Sequence, residues 1–189
     1  LSREPVFALG IEYAGETTES KLTRIREEMK EAGTNVHVVS TIDDICWTLN
    51  IRGNDIDFFP LVLSYGIITM DSFELYIDEK KLDDKLKAKL AKDGVNLHPY
   101  NDIYEDVKKF GSDVVAMIDP GKLNYALFNN IPENVKTVEK RNPAILMKAI
   151  KNPVEIENIR KAQIKDSVAH VRFMKWLKGN VGKMSITEM

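Results

Sequence analysis

The spacing of apolar residues changes twice between Thr41 and Ile68. Ile42, Ile45, Cys46 and Leu49 fall at helical spacing and predict a helix to Asn50. Arg52-Gly53-Asn54-Asp55 reads as a turn, and Pro60 opens the apolar run Leu61-Val62-Leu63-Ser64-Tyr65-Gly66-Ile67-Ile68. That run is too short to span a membrane and has the composition of a strand covered on both faces. Phe73-Glu74-Leu75-Tyr76-Ile77 alternates at period two and follows Met70-Asp71-Ser72, so the two runs predict a hairpin.

The same patterns organise the flanks. Residues 1–16 read as a linker with an entry strand in Pro5–Gly10. Thr17 or Thr18 caps a helix to Ala32 with the stripe Leu22, Ile25 and Met29, stopped by Gly33. Val36–Val39 is a β-branched strand. Leu82, Leu86 and Leu90 predict a helix over Lys81–Asp93, followed by a strand at Val95–His98. A helix from Asn101 or Asp102 to Phe110, a strand at Val114–Ile118, a short helix at Tyr125–Phe128 and a strand at Val135–Val138 complete the alternation. The fold class predicted is α/β, a mixed central sheet flanked by helices.

Asn152-Pro153-Val154-Glu155 is the strongest local signal. Asn152 suits the cap, Pro153 the first helical position, and Glu155 the third, where it returns a hydrogen bond to the cap. A long C-terminal helix is predicted from there to Lys178, with Ile156, Ile159, Ala162, Val168, Val171, Met174 and Leu177 as its apolar face.

Composition narrows the classes. The 189 residues are 43% hydrophobic and 30% charged, with a formal charge of -2, which is ordinary for a folded domain. Near-neutrality gives no reason to expect nucleic acid or an anionic membrane as partner. Cys46 is the single cysteine, which excludes an internal disulfide and fits a cytoplasmic protein. The first residue is not Met, and Ser185–Met189 reads as the opening of a helix, so the chain is expected to be a fragment of a longer protein.

Candidate chemistry is sparse. His37, His98 and His170 are far apart and lack a second ligand at metal-binding spacing. A satisfied histidine is the simpler account of His37, and packing at a domain junction that of His170. Asp43-Asp44 and Asp83-Asp84 are adjacent on helices and do not face one another, so capping and solvation explain them better than acid–base work. Cys46 reads as a small core residue. No P-loop, zinc-protease helix or dinucleotide fingerprint is present. Arg52, held by the Gly53 turn near Asp55 and Asp57, is read first as half of a structural ion pair. The sharper alternative places Arg52 or Trp47 at a substrate cleft or a subunit interface.

Trp47-Thr48-Leu49-Asn50-Ile51-Arg52-Gly53, Asp55, Pro60 and Ser64-Tyr65-Gly66-Ile67-Ile68 resemble a motif of the three-domain Xaa-Pro aminopeptidases of the creatinase/prolidase superfamily. Lys148-Ala149-Ile150-Lys151-Asn152, Glu155, Arg160-Lys161-Ala162, Lys165-Asp166, Ala169, Phe173, Trp176-Leu177 and Ile186-Thr187-Glu188 resemble that family's junction with its catalytic domain. Leu9-Gly10, Tyr13, Gly15 and His98-Pro99-Tyr100 also match, so the resemblance covers nearly the whole chain.

The resemblance implies a creatinase N-terminal-like middle domain over residues 17–150 and, over 151–189, the first helix of a truncated metallopeptidase domain. The parent would remove the N-terminal residue from peptides with proline second. It would use two divalent metals, as a rule manganese, held by two Asp, one His and two Glu beyond the end of this chain. No residue here matches a ligand. The fragment is therefore expected to be inactive and to bind no metal. Its partners would be the absent first and catalytic domains, and the parent is expected to be a homodimer. The competing expectation is a peptidase-like protein-binding module without catalysis.

Without its partner domain, the apolar face of the 152–178 helix is predicted to fold back or to pair with a second copy. Sedimentation should then show a compact monomer or a dimer. A monodisperse monomer with a mobile C-terminal helix would count against both.

Overall fold

A computed structural model describes residues 2–187, and contacts divide the chain after Ile150 into two compact units. In chain order the first unit holds β1 (Phe7–Ala8), α1 (Ile11–Ala14), α2 (Thr18–Glu31), β2 (Val36–Val39), α3 (Ile42–Leu49) and β3 (Ile51–Arg52). The hairpin strands β4 (Tyr65–Thr69) and β5 (Phe73–Tyr76) follow, then α4 (Asp84–Lys92), β6 (Val95–His98) and α5 (Ile103–Asp106). β7 (Val115–Ile118), α6 (Tyr125–Asn130), β8 (Lys136–Glu139) and α7 (Pro143–Ala149) complete it. The second unit is built on α8 (Pro153–Asn180).

The expected α/β fold with a mixed central sheet and a long C-terminal helix is what the structure shows. Six strands run in the order β6-β5-β4-β2-β7-β8. β4 pairs antiparallel with both β2 and β5, while β2–β7, β7–β8 and β5–β6 are parallel. Alternation along β2 sends Val38 to one face of the sheet and Val39 to the other, and each face has its own core. α2, α3 and α4 cover one face through Leu22, Ile25, Ile45, Leu49 and Leu86. α5 and α6 cover the other through Ile103 and Leu127.

Local signals set most boundaries. The Thr17 hydroxyl accepts from the Ser20 N–H at 3.2 Å and starts α2. Asp83 accepts from Leu86 N–H at 2.7 Å, so the helix expected from Lys81 begins at Asp84, after a separate 3₁₀ turn at Glu79–Lys81. The capping box at Asn152 and Glu155 forms as the sequence predicts. The expected helix to Phe110 is α5 followed by a 3₁₀ turn at Val107–Lys109. Residues Ser185–Thr187 carry no regular structure, and the rest of the helix opening expected there lies outside the described residues.

The apolar run after Pro60 differs from expectation. Leu61–Ser64 does not join the sheet, because its backbone groups pair with the preceding loop. Leu63 N–H donates to Asp55 Oδ2 at 2.7 Å, and Asp55 N–H donates to Leu61 O at 3.1 Å. The turn expected at Arg52 begins instead in β3, which pairs with β1 through Phe7 and Arg52. That contact joins residues about forty-five apart, which local pattern does not reveal.

The Asp55 carboxylate also takes a salt bridge from Lys81, with side chains only 0% and 3% exposed. Lys81 is tied to the entry segment as well, since its carbonyl accepts from Val6 N–H at 2.9 Å. A buried pair is costly to break from one side, because the remaining charge has no solvent. Lys81→Met should therefore lower stability by about 3–5 kcal/mol, read from urea unfolding, and adding Asp55→Leu should recover part of that loss.

Candidate functional site

Trp47 and Arg52 flank the C-terminus of α3, and their neighbours show why that helix ends there. Asn50 adopts the left-handed conformation at φ 52° and closes the helix. The Lys21 ammonium is buried beneath it. It donates to Trp47 O at 2.8 Å and Asn50 Oδ1 at 2.7 Å, and lies 4.3 Å from the centre of the Trp47 ring. Two helix-terminal acceptors and an aromatic face together solvate that charge. Asn50 Nδ2 donates to Glu16 O at 2.8 Å, and Leu9 N–H donates to Asn50 O at 2.7 Å, which joins the entry segment to the same point.

Arg52 Nη1 donates to Cys46 O at 2.9 Å and Ile51 O at 2.8 Å. Its bond to Cys46 O, in the last turn of α3, complements the negative end of the helix. At this turn Asp55 pairs with Lys81, whereas Arg52 Nη1 reaches backbone carbonyls. Gly53 follows because a Cβ there would lie 2.9 Å from Val62 Cγ2. Trp47 is 5% exposed, and its indole N–H has no hydrogen-bond partner among the described residues. Burial pushes the Cys46 thiol up to about 11, in keeping with a core cysteine.

A second polar cluster lies at the opposite end of α3. Asp43 is exposed, as solvation of the Asp43-Asp44 pair predicts, but Asp44 is 2% exposed and its carboxylate is bonded within the chain. Its Oδ2 accepts from Thr41 Oγ1 at 2.6 Å and Asn142 Nδ2 at 2.9 Å, and its Oδ1 accepts from Lys148 Nζ at 2.6 Å. Lys148 also bonds Asp43. Although burial opposes it, the two carboxylates hold the Lys148 ammonium above its ordinary pKa. Asn142 caps α7, accepting from Ala144 N–H at 3.0 Å, and its own N–H donates to Asp119 Oδ2 at 2.9 Å. Sequence reasoning missed α7 although Asn142-Pro143 repeats the cap-and-proline signature of Asn152-Pro153.

His37 is buried against this cluster, with Nδ1 3.1 Å from Met117 O and Nε2 3.2 Å from Asn142 Oδ1. Ala144 N–H and the Asp44 carboxylate fix the orientation of the Asn142 amide, so both ring nitrogens face acceptors. A neutral ring has one proton to share between them. His98 bonds Glu74 Oε2 at 2.6 Å and stacks on Tyr76, and His170 lies on α8. No group of three or more His, Cys, Asp or Glu among the described residues is arranged to hold a metal ion.

Burial lowers the His37 pKa, and the bonds to Met117 and Asn142 with the charges of Asp119 and Asp44 offset it only in part. The folded-state pKa then lies below the unfolded value. The contribution of the neutral ring is complete above about pH 6.5 and is lost as the pH falls below it. His37→Gln should show a shallower loss of stability than the parent chain between about pH 6.5 and 5.5, measured by urea unfolding at each pH.

The Creatinase/Prolidase N-terminal domain family matches residues 1–155. The chain is 37% identical over 183 residues to a protein named probable Xaa-Pro aminopeptidase P of Neurospora crassa, covering 92% of this chain and 27% of that protein. It is 37% identical over 186 residues to Xaa-Pro aminopeptidase 1 of Dictyostelium discoideum, covering 97% and 29%. The chain thus spans less than a third of these relatives. Among solved structures, the X-prolyl aminopeptidase of Caenorhabditis elegans superposes with a TM-score of 0.88 at 33% identity, covering 94% of this chain and 30% of that one. That protein is described as a cytosolic enzyme with a di-nuclear active site. A Xaa-Pro dipeptidase from Bacillus anthracis shares the fold, with a TM-score of 0.62 at 16% identity. Matched along most of its length, the chain belongs to the creatinase/prolidase N-terminal domain family.

Proposed function

We propose that this chain is the non-catalytic middle domain of a Xaa-Pro aminopeptidase, joined to the leading helix of the catalytic domain. The parent removes the N-terminal residue from peptides with proline in second place. The observation that carries this reading is the likeness to the worm enzyme, which spans 94% of this chain but 30% of that protein. The remainder of such a parent supplies two divalent metals, manganese in our reading, and the residues that hold them. Its setting is cytoplasmic, as for the worm relative, and it forms a homodimer.

The second unit supports the division of labour. At about 100° per residue, Ile156, Ile159 and Met174 point to one side of α8, Ile164 and Val171 to another, and Ala169 and Trp176 to a third. The single apolar face expected from sequence is in fact distributed around the helix. Charged residues such as Arg160, Lys165 and Asp166 are spread around the helix as well, so neither class keeps to one face. Residues 2–150 form a separate compact unit with two cores of their own.

In this reading the first unit shapes access to the cleft and packs against the catalytic domain, and Trp47 and Arg52 are its candidate contacts. The Trp47 indole N–H is buried within the unit, so half-buried Arg52 is the more accessible of the two. The binding-module alternative predicts a parent that lacks the metal ligands.

The 189-residue chain should hydrolyse no Xaa-Pro peptide with or without manganese, while the full-length parent should do so only with divalent metal. Hydrolysis by the fragment would overturn the reading, and an inert parent would favour the binding module. In the intact enzyme, Arg52→Ala leaving kcat/KM unchanged for short and long peptides would remove Arg52 from the cleft.

A further inference from the structure

The chain leaves β2 and β7 in opposite directions. These strands are parallel neighbours, paired through Val36–Ala116 and His37–Met117. After β2 the chain turns into α3, whose Ile45 and Leu49 pack in the core that contains Val39. After β7 it runs to α6, whose Leu127 packs in the core that contains Val38. Adjacent parallel strands whose outgoing connections go to opposite faces open a crevice at their carboxyl ends, the place where open α/β sheets bind ligands.

A cavity of about 540 Å³ occupies that crevice, bordered by Thr41, Asp44, Asp119, Lys122, Glu139 and Arg141. This volume is within the range of small-molecule sites, roughly 300–1,000 Å³. The bonding of its walls divides into two groups. The Asp44 carboxylate is consumed by Thr41, Asn142 and Lys148. The Asp119 carboxylate accepts from Gly121 N–H at 3.1 Å and Asn142 N–H at 2.9 Å. The Lys140 ammonium is spent on Glu28. The guanidinium of Arg141, the ammonium of Lys122 and the carboxylate of Glu139 have no hydrogen-bond or ion-pair partner among the described residues. The open valences of the crevice are thus two cations and one anion.

We propose that this crevice binds a small molecule bearing both a carboxylate and an ammonium group, an amino acid or a short peptide. Arg141 and Lys122 receive the carboxylate, which a planar guanidinium can hold through two parallel bonds. Glu139 receives the ammonium. Lys148, Asn142 and Asp119 fix the floor through bonds already made, so binding needs no rearrangement of buried charge. The proposal does not depend on whether the parent is a peptidase.

The test is titration of the ¹⁵N-labelled 189-residue chain with Ala-Ala, followed by amide shifts. Shifts should cluster at residues 40–43, 119–123 and 139–142. Because Arg141 and Lys122 are exposed, Arg141→Ala and Lys122→Ala should leave the fold intact and weaken binding about tenfold each, the loss of one charged hydrogen bond. The C-terminal amide and the N-acetyl form of the dipeptide should bind more weakly than Ala-Ala. Absence of shifts at the solubility limit, or shifts that neither substitution alters, would overturn the site. An N-acetyl form that binds as tightly as Ala-Ala would overturn the amino-acid class.

Discussion

The Asn142 side chain is the point at which the separate parts of the first unit are held in register. Its amide nitrogen meets Asp44 on α3, its oxygen meets His37 on β2 and the Ala144 N–H of α7, and its backbone N–H meets Asp119 beyond β7. No other group could do this with one rotamer. A carboxylate would repel Asp44, and a hydroxyl lacks the reach and the number of bonds. Because these bonds are buried, losing one partner leaves the others unsatisfied, and the cost exceeds that of a single exposed hydrogen bond. The crevice between β2 and β7 keeps its shape because its floor is made of these bonds.

At the other end of α3, each polar member of the Trp47–Asp55 motif has a backbone or packing duty. Trp47 offers a carbonyl and an aromatic face to Lys21, Asn50 reverses the chain, and Arg52 covers the Cys46 carbonyl in the last turn of the helix. Gly53 admits Val62, and Asp55 gathers Lys81 and the Leu63 N–H. A pattern that looks from sequence like a cluster of functional side chains is also a complete helix-termination and loop-anchoring device. These duties explain the spacing without any ligand.

What was legible in the sequence followed from local physics. β2 and β6 are delimited by β-branched or alternating runs and adjacent turn residues, and both fall where the pattern places them. α2 and α8 announce themselves by caps whose hydrogen bonds form as expected. What was missed depends on distant partners. Leu61–Ser64 has strand composition, but the Asp55 side chain takes the bond a neighbouring strand would have made. β3 exists only because Phe7–Ala8 lies beside it. Lys21 and Asp44 look like surface charges by position on their helices, and only the folded chain supplies the acceptors and donors that allow their burial.

The satisfaction of these groups separates the charges that hold the fold from those left open to solvent. An active site keeps polar groups preorganised toward a substrate and pays for that by leaving them incompletely bonded in its absence. Here the buried charges are spent internally: Lys21 on two acceptors, Asp44 on three donors, and Lys81 on Asp55. The buried side-chain atoms left without a partner among the described residues are Thr18 Oγ1, Trp47 Nε1 and Asp55 Oδ1. A hydroxyl, an indole N–H and one oxygen of a paired carboxylate do not make a nucleophile–base pair. Open valences lie instead on exposed groups, among them Lys122, Glu139 and Arg141, which are gathered at the carboxyl ends of parallel strands. Exposed charges of this kind suit recognition, which needs complementarity and little pKa adjustment, better than they suit bond-breaking. The electrostatic design of the crevice therefore suits holding a charged ligand.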